Sequence, residues 1–120
     1  MKRCLVGSEM CIRDRDGRIL DRLFEVVASR KGADPASSWT AKLLAEAPEL
    51  PARKMAEEAT ETLIAALGDD RQALTAEAAD LIYHLLVVLV SRGVELEDVW
   101  AELQRREAQS GIAEKAGRGQ

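Results

Sequence analysis

Glu58 and Glu61 stand three residues apart, and after fifteen intervening residues Glu77 and Asp80 repeat that spacing. The second pair leads into Leu81-Ile82-Tyr83-His84-Leu85-Leu86-Val87-Val88-Leu89-Val90, a run that is almost entirely apolar. A helix that is apolar all round is normally buried, and carboxylates are seldom buried without a partner. At about 100° per residue, Glu77, Asp80 and His84 share a helical arc of roughly 60°. Something positive must face that arc. A divalent cation held by both acid pairs is the economical answer, since acids gathered without one repel each other.

The elements that must position these acids read as helices. Ile19, Leu20, Leu23, Phe24, Val26 and Val27 trace an apolar helical face ending near Lys31-Gly32. Residues 33–37 read as a loop, and Ser37 or Ser38 can cap a short helix running to about Ala47. Pro48 and Pro51 bracket a second loop, with Pro51 suited to the first turn of a helix that continues to Leu67. Across Gly68-Asp69-Asp70 the apolar helix follows, from about Arg71 to Arg92, with Gly93 as its stop. A last helix carries Leu96, Val99, Trp100 and Leu103 on one side. The second and third long helices would form a hairpin that runs their acids antiparallel. Taken alone, the first acid-bearing helix also has a plainer reading. Met55, Ala56, Ala59, Leu63, Ala66 and Leu67 form its apolar stripe, and Glu57, Glu58 and Glu61 a solvated face. Lys54 can pair with Glu57 or Glu58 there, yet Glu61 has no basic residue three or four positions away.

Composition narrows the class. A chain of 120 residues is a single domain, and aromatics at 3% leave alanine and leucine to fill the core, which favours helices. The expected fold is all-α: about five helices in a four-helix-bundle-like core over 16–109, completed by a homodimer. A net charge of −4 argues against a nucleic-acid surface, and no unbroken apolar run approaches the roughly 18 residues of a membrane span. Cys4 and Cys11 make neither a disulfide framework nor a zinc pattern, so the chain reads as cytoplasmic. Residues 1–15 lack any sustained period. Their string CLVGSEMCIRDR resembles translated adapter sequence, and they read as a non-native leader or a disordered amino terminus. Residues 110–120 read as a polar tail.

Glu57-Glu58-x-x-Glu61 followed by Glu77-x-x-Asp80 resembles the signature of the all-α, MazG-like nucleoside-triphosphate pyrophosphohydrolases. Three segments sharpen the resemblance: Ser38-Trp39-Thr40-Ala41-Lys42-Leu43-Leu44, Lys54-Met55-Ala56-Glu57-Glu58-Ala59-Thr60-Glu61, and Ala79-Asp80-Leu81-Ile82-Tyr83-His84-Leu85-Leu86. With the tail Ser110-Gly111-Ile112-Ala113-Glu114-Lys115, they look like the phosphoribosyl-ATP pyrophosphohydrolases of histidine biosynthesis, over roughly Ile19 to Arg118. Trp39 stands where that family usually has tyrosine, and Ala56 where it often has glycine. The resemblance implies hydrolysis of phosphoribosyl-ATP to phosphoribosyl-AMP and pyrophosphate, with Mg²⁺ as cofactor and Mn²⁺ as a substitute. Splitting an α–β phosphoanhydride needs charge neutralisation and an activated water, which a carboxylate-held Mg²⁺ supplies. Glu58, Glu61, Glu77 and Asp80 are accordingly the expected metal ligands. Glu57 is a base, an outer-shell acceptor or a plain surface acid.

The remaining candidates each carry an ordinary alternative. Ser38 and Thr40 touch substrate or cap their helix. Trp39 stacks on adenine or packs in the core. Lys42 and Lys54, with Arg105 and Lys115 behind them, contact phosphates or are simply solvated. His84 orients Asp80 from one turn away or is a satisfied core histidine. An all-apolar helix exceeds what one small chain can cover, so a two-fold interface using Leu81–Val90 is expected. The alternatives are a house-cleaning nucleotide pyrophosphatase with the same metal site, or a helical interaction module that binds no metal.

Overall fold

The computed structural model describes residues 16–109, and the leader 1–15 and tail 110–120, with Lys115, lie outside them. The described residues form five helices and no strand: α1 (Arg18–Ser29), α2 (Trp39–Ala45), α3 (Glu49–Ala66), α4 (Arg71–Ser91) and α5 (Leu96–Ala108). The all-α expectation holds. Helix boundaries follow local chemistry. Ser38 Oγ accepts from the backbone N–H of Ala41 at 3.2 Å to start α2, and Asp70 Oδ1 accepts from Gln72 and Ala73 N–H at 3.0 and 3.1 Å to start α4. At the end of α4, Gly93 takes φ +73°, its N–H donates to the Val90 carbonyl, and that of Val94 donates to Leu89. That reciprocal closure satisfies carbonyls the helix leaves open, in a conformation that costs glycine least.

One boundary differs from the sequence reading. α3 begins at Glu49, with Pro48 in the capping position and a buried Pro51 already inside its first turn, so the loop ends earlier than expected. The first turn of a helix has no intrahelical acceptors for its N–H groups, so a missing donor at Pro51 forfeits nothing.

Four helices meet in one core, made of Val27 from α1, Leu43 from α2, Leu50 from α3, and Val87 and Val90 from α4. Leu23, Phe24, Leu44 and Tyr83 pack against it. α4 is the common partner: it lies along α3 as a hairpin and also contacts α1 and α2. By length and apolar composition it is the one helix among the described residues that meets the requirements of a membrane span. The central helix of a bundle meets them too, and α4 holds that place here.

One expectation about faces changes. Beyond a half-buried Met55, the apolar stripe read on α3 does not face the interior of the chain. Ala56, Ala59 and Ala66 are exposed, and Leu63 and Leu67 are 60% and 81% exposed, as is Ile64 at 64%, while Glu58, Thr62 and Ala65 are half-buried. Leu50 and Pro51 seat the start of α3 in the core, and that anchorage turns the acid-bearing side toward α4. α4, as expected of an all-apolar helix in so small a chain, is not covered all round by the described residues. Leu86, Val87 and Val90 are buried within the chain, whereas Ile82 and Leu85 are each 41% exposed. Leu86 therefore belongs to the intramolecular interior.

Leu43 is 0% exposed, so truncation leaves a cavity that neighbours from four helices cannot fill. Leu43→Ala should lose about 2–5 kcal/mol of stability in a urea titration, while the helix content below the transition stays unchanged.

Candidate metal centre

α3 and α4 run side by side from the turn at 67–70, so residues at matching distances from that turn meet. Glu58 and Glu77 are such residues. One carboxylate oxygen each from Glu58, Glu77 and Asp80 lies within 4.8 Å of the others, with Glu58 and Glu77 half-buried and Asp80 exposed. Glu58 Oε1 and Glu77 Oε1 are buried with no hydrogen-bond partner. A buried carboxylate oxygen without a donor costs free energy on the order of 1–3 kcal/mol or more, and two in one place ask for a cation. The donor set fits a hard one. Carboxylate oxygens are the donors that Mg²⁺ prefers, and three of them converge here.

Glu61 is exposed and stands outside that trio, but its carboxyl reaches Glu77. Burial pushes the Glu77 carboxyl above the usual range, and the contact with Glu61 and the charges of Glu61, Glu58 and Asp80 push the same way. Of the four acids named from the sequence, three form a compact cluster, and Glu61 meets that cluster at Glu77. Glu57 points elsewhere: its Oε1 accepts from Lys54 Nζ at 3.2 Å.

The other candidates fall into two groups. Lys54 Nζ sits 5.8 Å from the centre of the Trp39 ring, which is 46% exposed, so α2 and α3 present a cation and an open aromatic face together. His84 is buried, and its Nδ1 lies 2.8 Å from the Asp80 backbone carbonyl rather than its carboxylate. Thr40 is hydrogen-bonded to the Tyr83 hydroxyl, tying α2 to α4, and the Tyr83 ring meets His84 edge to face. Ser38 is the α2 cap. Lys42 is exposed on α2, and Arg105 is engaged along α5 with Glu102 and Gln109. Arg105 and then Arg106 hold the Glu102 carboxyl down at about 2.

Two residues of the assembly went unnoticed in the sequence, Tyr83 and Thr62. Thr62 Oγ1 donates to the Glu58 carbonyl at 2.7 Å and to the Glu77 carbonyl at 3.1 Å. Its position four residues after Glu58 places it on the acid face, but only the packed hairpin reveals the second acceptor.

Known proteins supply an independent finding. The family described as Phosphoribosyl-ATP pyrophosphohydrolase matches residues 20–107. A phosphoribosyl-ATP pyrophosphatase of Cereibacter sphaeroides is 61% identical over 101 residues, covering 84% of this chain and 98% of the relative. Its counterpart in Dinoroseobacter shibae is 60% identical over 83% of this chain and 98% of its own, and that of Paracoccus denitrificans 60% over 82% and 92%.

The Glu77 shift gives a pH prediction with a definite sign. A carboxyl whose folded-state pKa is raised adds nothing unfavourable while protonated in both states, and destabilises the fold once it ionises. In chelator, the wild-type chain should lose stability relative to Glu77→Gln as pH rises from the ordinary glutamate range through the raised value. Urea midpoints between pH 4 and 8 measure the gap. A constant gap would mean that Glu77 ionises without cost.

Proposed function

We infer the activity from a chain that belongs to the phosphoribosyl-ATP pyrophosphohydrolase family: it hydrolyses phosphoribosyl-ATP to phosphoribosyl-AMP and pyrophosphate, the second step of histidine biosynthesis. The structural observation that carries this reading is the convergence of Glu58, Glu77 and Asp80 around two orphaned buried oxygens. Those three residues would hold Mg²⁺, with Mn²⁺ as a substitute, and Glu61, which meets Glu77, would join them or take a proton at the edge of the site. Bound there, the cation supplies neutralisation of triphosphate charge and a more acidic water for attack.

The chain's own residues do the rest. Lys54 sits one helical turn before Glu58 and beside Trp39, where it meets triphosphate oxygens while the open indole face takes the adenine. Glu57, bonded to Lys54 Nζ, fixes where that ammonium points and is less suited to act as the base. Tyr83 and Thr40 hold α2, and with it Trp39, at a set distance from the acid helix. His84 docks on the Asp80 carbonyl and steadies the turn of α4 that presents Asp80. Lys42, exposed on the same short helix as Trp39, is the remaining cation on the substrate side. Such a site works in the cytoplasm, where nucleotide and Mg²⁺ occur together.

A homodimer accounts for the apolar surface left open. Leu63 and Ile64 of α3, Leu67 at its C-terminal cap, and Ile82 and Leu85 of α4 are exposed positions that the described residues do not cover. A two-fold pairing would bury the same patch on both copies.

Activity should disappear in chelator and return with Mg²⁺ or Mn²⁺, and Asp80→Asn should lower turnover by roughly a hundredfold or more. A substrate panel provides the decisive comparison, because phosphoribosyl-ATP and ATP present the same triphosphate to the metal. Strong preference for phosphoribosyl-ATP is expected. Equal rates on ordinary nucleoside triphosphates would instead mark a house-cleaning pyrophosphatase.

Light scattering should give a mass about twice 13.1 kDa. Leu67→Glu, at a residue 81% exposed in the single chain, should shift that mass toward the monomer without unfolding α3. A wild-type chain that stays monomeric at micromolar concentration would exclude the dimer.

A further inference from the structure

Three threonines on the acid-bearing helices look alike in sequence and differ in what their hydroxyls do. Thr60 Oγ1 donates to Ala56 and Thr75 Oγ1 to Arg71, each to the carbonyl one turn back, and both residues are exposed. That local bond is the common habit of threonine within a helix. Thr62 makes the same bond, to Glu58, but is half-buried and shares its proton with the carbonyl of Glu77 on the neighbouring helix. The two acceptors are the backbone groups of two of the three clustered acids.

We infer that Thr62 is a positioning residue for the metal centre, its hydroxyl setting the register of Glu58 against Glu77. The inference rests on the metal-site reading above. Carbonyls inside a helix already accept one N–H from the following turn. The Thr62 hydroxyl uses their second lone pairs, so no helical bond has to break to admit it. It sits where carboxylates of like charge would otherwise drive α3 and α4 apart. The apolar core cannot supply that constraint, because the residues that form it lie elsewhere along the hairpin: Leu50 at the start of α3, Val87 and Val90 near the end of α4. Leucine and valine contacts also tolerate small slides that a hydrogen bond to two fixed carbonyls does not.

Mn²⁺ titration of the full-length chain by calorimetry, with thermal melts in chelator and in Mn²⁺, tests the role. Thr62→Val keeps the shape and removes the donor. It should weaken Mn²⁺ binding by about tenfold or more, as loss of a group supporting metal ligands commonly does, and shrink the Mn²⁺-induced rise in melting temperature. Thr62→Ser keeps the donor and should bind within a few-fold of wild type. Thr60→Val, which removes an exposed hydroxyl from the same helix, should leave affinity unchanged. If Thr62→Val does not fold, Thr62→Ala against Thr62→Ser makes the same comparison, since those two side chains differ only by the hydroxyl. Wild-type affinity in the valine or alanine variant, with only a lower melting point in chelator, would reduce Thr62 to a packing residue and overturn the inference. A wild-type chain that binds no Mn²⁺ would overturn the metal-site reading, and the inference with it.

Discussion

Everything in this small bundle is arranged around an unfavourable act, bringing carboxylates from two helices into one half-buried place. Like charges at such distances repel, and two of the oxygens find no donor among the described residues. The fold must therefore supply the convergence from elsewhere. It does so through the apolar contacts of α1, α2 and the far parts of α3 and α4, which grip the hairpin through Val27, Leu43, Leu50, Val87 and Val90. The site is held open by forces that act some distance from it. A cation bound there would offset that repulsion, so binding and stability would be linked.

The same grip decides which side of α3 looks inward. Once Leu50 and Pro51 are seated in the core, helical periodicity brings Glu58, Thr62 and Ala65 to the α4 side and leaves Leu63, Ile64 and Leu67 outside. An amphipathic helix would usually choose the opposite orientation. Here the acid-bearing face is turned toward the neighbouring helix, and the greasier face is left exposed among the described residues. One rotation of α3 thus sets both the place of the acid cluster and the exposure of the apolar positions.

α2 shows how a short element gains a fixed position. Seven residues form a weak helix alone, yet Ser38 caps its start, Ala41 and Leu43 are buried, and Thr40 is tied to Tyr83 on α4. Those three anchors aim Trp39 outward beside Lys54. An exposed tryptophan next to a lysine, one turn from the acids, is a poor use of a core residue and leaves an aromatic face open beside a cation.

Much of this was legible in the residues alone. The helices, their order and the turn at Gly68-Asp69-Asp70 follow from periodicity and capping chemistry, because those signals are local. The spacing of Glu58, Glu61, Glu77 and Asp80 also marks them as chemically significant, since acids adjoining an apolar helix need a counter-charge. Depth, rotation and cross-helix partners are properties of packing, and the sequence does not carry them locally. Only the tertiary structure shows that Glu61 stands at the edge of a trio, that Glu57 is held by Lys54, and that His84 meets a carbonyl instead of a carboxylate. The rotation of α3 escaped the sequence because a stripe of alanine and leucine predicts which face is apolar, whereas the anchoring of one helix end decides which face is buried. Thr62 escaped for the same reason: its bond to α3 is set by a four-residue spacing, and its bond to α4 exists only once the hairpin has closed.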